Sequence, residues 1–150
     1  MKEEHLRKLI LFYFFVTLDE LRAKELARKS WLWCQKKKLQ DKKINPDTLV
    51  LLSLHEGWDD LKNVSRSGVS KYSLDAGWRL PGGISLEPWK AFYKEASEEE
   101  IFVTALIGVL RYSVPEIVEA LGLSSGTIRY RLAKASRRMG HLLLQSGANP

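Results

Sequence analysis

SVPEIVEALGLSSGTIRYRLAKASRRMG, residues 113 to 140, is the stretch on which the reading of this chain turns. Ser113 and Glu116 stand at capping-box spacing, with the serine oxygen placed to accept from the Glu116 backbone and the carboxylate to reach back. Pro115 falls in the first turn, where a missing N–H costs nothing. Ile117, Ala120 and Leu121 recur on one helical face, and Gly122 follows as a C′ residue able to take positive φ. Ser124 is a good N-cap for a second helix, in which Ile128, Leu132, Ala135 and Met139 fall within a narrow arc at about 100° per residue. The same rotation sends Thr127, Tyr130, Arg131, Lys134, Arg137 and Arg138 to the other side.

No Asp or Glu occurs after Glu119, so Arg129, Arg131, Lys134, Arg137 and Arg138 have no balancing acid in the closing segment. A helix pair joined by a glycine turn, with the second helix amphipathic and basic, is the arrangement that sets a recognition helix in the major groove of DNA. A plain solvated face is the competing reading of any charge run. Motif, turn and one-signed face coincide here, which favours double-stranded DNA as the partner.

These residues resemble the C-terminal promoter-binding domain of bacterial sigma factors of the extracytoplasmic-function type, whose pattern is similar to GYSxEEIAxxLGxSxGTVxSRLxRARxxL. The match runs through Tyr112, Ser113, Glu116, Ile117, Leu121, Gly122, Ser124, Gly126, Thr127, Ile128, Arg131, Leu132, Ala135 and Arg137. The resemblance implies a DNA-contacting set of Ser125, Thr127, Arg129, Tyr130, Arg131, Lys134, Arg137 and Arg138. Arg131 and Lys134 are then the candidates for base edges, and Thr127, Arg129, Arg137 and Arg138 for phosphates. The chain departs from the pattern where the family has a glutamine–arginine pair near positions 100 and 101 and a glycine at 111. Glu100, Ile101 and Arg111 stand there instead, and Tyr130 replaces a common serine.

Further back, AKELARKSWL at 23 to 32 resembles a divergent form of the AEDLVQETFL pattern through which sigma factors meet core RNA polymerase. Glu25, Leu26 and Trp31 are the polymerase-binding residues this implies. Lys24, Arg28 and Lys29 reverse the expected sign, which should alter that docking. The family's DNA-melting segment has no counterpart here. RNA polymerase core and an anti-sigma factor are the protein partners the resemblance adds.

The remainder bounds the answer. The 150 residues carry a formal charge of +6 with 45% hydrophobic residues, enough for one ordinary or two small globular domains with an anionic partner. LILFYFFVTL, residues 9 to 18, is about half a membrane span and is bracketed by acids, so a core helix is expected. The residues after it, through the lysine run at 36 to 38, read as a second helix capped by Asp19, with Leu18, Leu21, Ala23, Leu26, Ala27, Ser30, Trp31 and Cys34 facing inward. A turn at Asn45 and Pro46, a short helix or strand over Thr48 to Leu54 and a break at Gly57 follow. The stretch to 88 collects Ser, Gly and Pro and reads as a linker, with Trp58, Trp78 and Trp89 covering apolar surface.

After a helix from Glu87, Ser97 and Glu100 offer a second capping box, opening a central helix over IFVTALIGVL. The expected architecture is all-α: a helical unit at 1–56, a linker at 57–88 and a helix-turn-helix unit at 89–150. The lone Cys34 and the scattered His5, His55 and His141 suggest neither a disulfide nor a metal site. With no phosphate loop and no nucleophile–base pair, the reading is of a cytoplasmic, non-enzymatic protein that needs no cofactor and no membrane. A sigma-like interaction module that binds polymerase or a regulator without initiating transcription is the second reading.

Overall fold

A computed structural model describes residues 1–62 and 86–145, and the side chains through 141. Most of the expected linker, Trp78 included, lies outside the described residues. The seven helices described are α1 (Glu3–Thr17), α2 (Glu20–Gln40), α3 (Pro46–Leu61), α4 (Glu87–Glu95), α5 (Glu98–Thr104), α6 (Val114–Leu121) and α7 (Ser125–Gln145). A π-helical turn at Ala105–Val109 continues α5. The fold is all-helical, as expected, with no strand among the described residues. No helix among them is long and apolar enough to cross a membrane.

The apolar run forms α1, which buries Leu9 and every residue from Phe12 to Thr17. Leu18 closes it in the left-handed region at φ 55°, and Asp19 opens α2 by accepting from the Arg22 N–H at 3.1 Å. The two pack as a hairpin through the small residues Ala23, Ala27, Ser30 and Cys34 of α2. Cys34 is fully buried, its thiol pushed up by burial and donating to the Leu49 carbonyl at 3.5 Å, which makes it a packing residue. Leu21 does not share that inner face. It is 81% exposed, because it lies on the far side of the helix from Ala23, Ala27 and Cys34.

α3 runs unbroken through Gly57, contrary to the expected break. The glycine serves close approach: a Cβ there would overlap the Tyr13 hydroxyl. That hydroxyl is buried and bonded to Ser30 Oγ at 2.6 Å, joining α1, α2 and α3 at one point. Removal from water pushes its pKa up to about 12, so the phenol stays neutral and bonded.

α4 ties the two halves of the chain together. The last carbonyls of a helix have no partner within it. At the end of α1, Trp89 Nε1 donates to the Phe15 carbonyl at 2.8 Å and Tyr93 Oη to the Val16 carbonyl at 2.9 Å. Phe12 of α1, Trp58 of α3 and Phe102 of α5 meet as a ring trio, with centroids 5.8 to 6.4 Å apart. One continuous core therefore runs through both units. Trp58 and Trp89 cover apolar surface, as expected.

A polar tie flanks the core. Tyr112 Oη and Lys8 Nζ both donate to Asp47, at 2.7 and 2.9 Å, and the ammonium lies 4.2 Å from the Tyr112 ring centre. Partial burial raises the Asp47 pKa, but those bonds and the nearby His5 outweigh it and hold the carboxyl below its usual range.

Ser97 caps α5 as expected, accepting from the Glu100 N–H at 3.2 Å. The glutamate does not return the bond: its carboxylate is drawn to α7. The expected single helix over 101 to 110 also widens at Ala105, where Leu110 N–H bonds five residues back at 3.0 Å. Arg111 follows at φ 63°, so the position where glycine is common in the resembled family keeps the glycine conformation.

Candidate nucleic-acid interface

The helix-turn-helix is built from local chemistry. Ser113 and Glu116 form the full capping box of α6, the Ser113 N–H donating to Glu116 Oε2 at 2.7 Å and the Glu116 N–H to Ser113 Oγ at 3.3 Å. Gly122 ends the helix at φ 68°. Ser124 starts α7 by accepting from the Thr127 N–H at 3.1 Å, and its hydroxyl is 2.6 Å from that of Thr127. Ile117, Ile128 and Ala135 are buried between the helices, with Leu121, Leu123, Leu132 and Met139 packed against them.

α7 presents an outward arc of Ser125, Gly126, Arg129, Tyr130, Ala133, Lys134, Ser136 and Arg137. The Arg129 guanidinium donates to Ser125 Oγ at 3.1 Å, which lays it along the first turn. Tyr130 is 63% exposed, the one large aromatic side chain standing free on this surface among the described residues. Arg137 is exposed one turn beyond Ala133. Small residues at 126 and 133 leave the middle of the arc flat, so a partner can approach the backbone between the cations.

Two expected members of the basic face turn elsewhere. Arg138 clamps the buried carboxylate of Glu100, Nε at 2.8 Å and Nη2 at 3.3 Å, so it holds α7 onto α5 instead of standing free for a phosphate. Lys134 stays half exposed with Nζ 3.9 Å from the same carboxylate, able to serve both sides. Burial raises the Glu100 pKa, but Arg138, the Ser97 hydroxyl and Lys134 together outweigh it and hold the carboxyl below its usual range. Arg131 is half-buried at a cleft of about 190 Å³ that His55 and Asp59 of α3, Lys62, and Glu98 and Glu99 of α5 also line. Both arginines point away from the centre of the outward arc because positions 131 and 138 lie one heptad apart on the flank that meets α5.

The expected polymerase-binding residues separate as well. Glu25 is exposed and ion-paired with Lys29 at 3.7 Å, whereas Leu26 and Trp31 are half-buried against the core. Sequence reasoning missed the Glu100–Arg138 clamp because Ser97 at capping-box spacing accounted for the glutamate. An acid opening a helix that is apolar almost all round was the available signal. It also missed the Asp47–Tyr112 tie, for which no local pattern exists. Among the described residues no cluster of His, Cys, Asp and Glu is arranged to hold a metal.

No family model matches the chain, and no curated protein does. Among solved structures it is similar to the sigma factor RpoE of Bartonella quintana in its co-crystal with the anti-sigma factor NepR. The TM-score is 0.72 at 20% identity, over 93% of this chain and 91% of that one. Likeness at that identity is likeness of fold, and it spans most of both chains: this chain has an all-helical fold similar to that of this sigma factor.

Proposed function

We propose that this chain is a sigma-factor-like DNA-binding transcription protein that recognises an upstream promoter element through α7 and contacts RNA polymerase through its N-terminal unit. The observation that carries the reading is the outward arc of α7, which offers Ser125, Arg129, Tyr130, Lys134 and Arg137 on a helix without an acid. α6, capped by Ser113, lies across the phosphate backbone, and α7 enters the major groove. Arg129 and Arg137 hold phosphates, Lys134 and Tyr130 reach base edges, and Thr127 supports the first turn through Ser124. Arg131 contributes once its cleft between the units opens, while Arg138 orients the helix. The test is titration of labelled duplex DNA over a range of salt: affinity should fall steeply, and Lys134→Ala should narrow the gap between preferred and random sequence. Salt-independent binding, or none, overturns the reading.

The second reading, a sigma-like interaction module that does not initiate transcription, is favoured by the half-buried position of Arg131 beside the cleft that α3 and α5 line and by the cations of α2. Capture of purified core polymerase by a chain carrying Arg129→Ala and Arg137→Ala separates the two. Capture retained in a protein whose wild-type form also fails to bind DNA supports the module.

A further inference from the structure

α2 holds seven cations against two acids, a net charge as large as that of α7. Its buried side is made of small residues, which leaves its long side chains outside. Leu21, Leu32 and Leu39 are 81%, 54% and 77% exposed, and with Tyr130 they are the large hydrophobic side chains left open among the described residues. Spacings of eleven and seven residues bring all three within about 20° of one line along the helix. Glu25, Arg28 and Gln35 complete a stripe at 21, 25, 28, 32, 35 and 39, alternating steps of four and three, the seam spacing of a helix that lies lengthwise against another. A single exposed leucine would need no explanation. Three on one line over about 27 Å form a seam without a partner among the described residues.

Charge identifies the partner. Glu20 and Glu25 are engaged by Lys24 and Lys29 within the helix, at 2.9 and 3.7 Å. Arg28 and Lys36, on either side of Leu32, have no acid against them among the described residues. A second copy fits badly: antiparallel pairing of the seam sets Lys24 opposite Lys36, and parallel pairing sets Arg28 against Arg28. A phosphate backbone would answer the cations and leave the leucines uncovered. An acidic amphipathic helix satisfies both. The geometry points to α2 as the docking surface for an acidic amphipathic helix of a partner protein, laid along Leu21, Leu32 and Leu39 with its carboxylates against Arg28 and Lys36. This rests on the reading of the N-terminal unit as a protein-contact surface, supplies the chemistry of the contacted segment, and does not depend on DNA recognition by α7.

The probe is a labelled amphipathic peptide of the length of α2, leucine at its seam positions and glutamate on both flanks, paired with a counterpart carrying lysine for glutamate. Fluorescence anisotropy with the full chain should show the glutamate peptide bound at least about tenfold more tightly than the lysine peptide, with the gap closing at high salt. Leu32→Asp should weaken binding by about tenfold or more, with far-ultraviolet dichroism and DNA affinity unchanged. Should that variant lose its fold, Arg28→Glu with Lys36→Glu decides, since it should reverse the preference toward the lysine peptide. Equal binding of both peptides, an unreversed preference, self-association of the free chain abolished by Leu32→Asp, or binding of phosphatidylserine vesicles in place of the peptide each overturns the proposal. DNA titration of the same preparations tells its failure apart from failure of the promoter-binding reading.

Discussion

α2 and α7 are both 21 residues long and carry the same net charge, yet they present different surfaces. α7 buries Ile128 and Ala135, keeps its half-buried leucine and methionine against the core, and shows cations, small residues and one tyrosine outside. α2 does the reverse, with alanine, serine and cysteine inside and leucine outside among the lysines. Charge alone would assign the two helices the same partner. What separates them is where the apolar area was spent, because an exposed leucine gains little from phosphate and much from another apolar seam.

The largest effect that would test this contrast is on DNA affinity. Arg129→Ala with Arg137→Ala should weaken duplex binding on the order of a hundredfold and lower the salt slope by about two, whereas Arg28→Glu with Lys36→Glu should leave that slope unchanged. Equal losses from both pairs, measured by salt-dependent titration, would mean that the two helices act as one undifferentiated basic surface. Next comes the seat of α2. Gly57→Ala should cost about 2 kcal/mol in a denaturant melt through overlap with the Tyr13 hydroxyl. In a Tyr13→Phe background, which lacks both the colliding oxygen and its bond to Ser30, the same Gly57→Ala step should cost clearly less than in the wild type. An equal cost in both backgrounds would place the strain elsewhere.

The seat of α7 should respond less. Glu100→Gln removes one side of the clamp on Arg138 and should cost about 1 to 2 kcal/mol. The folded pKa of Glu100 is depressed, so its contribution is fully present above the unfolded carboxylate range near 4.3 and is lost as pH falls through the lower folded value. Thermal melts of the wild type should therefore lose stability across that acid window more steeply than those of Glu100→Gln. Parallel acid limbs would show that the clamp does not seat the helix. The smallest effect is at the turn before α6, where Arg111→Gly should raise stability by about 1 kcal/mol by relieving a side chain at φ 63°.

How far the sequence could be read follows from how local each feature is. The box at Ser113 and Glu116, the turn at Gly122 and the cap at Ser124 are contacts between residues at most four positions apart, and they stand where the motif placed them. Periodicity likewise separated Ile128 and Ala135 from the outward side of α7. It could not separate Arg138 from Arg137, because the acid that claims Arg138 lies 38 residues away. The same limit explains Gly57, whose reason is a hydroxyl on α1; Leu21 is different, since its angle on α2 sets it opposite Ala23 and Ala27 and composition alone groups it with the inner face. Sites made by one element were legible, and sites made between elements were not.

The bonds from Trp89 and Tyr93 to the carbonyls that finish α1 bear on how the molecule comes into being. Synthesis delivers the first helix 74 residues before the indole that completes its end. Until Tyr93 has cleared the ribosome, the hairpin of α1 and α2 holds Phe14, Phe15 and Val16 without their cover. The amino-terminal half should accordingly be a chaperone client while nascent, and should become protease-resistant only when the carboxy-terminal half closes over it.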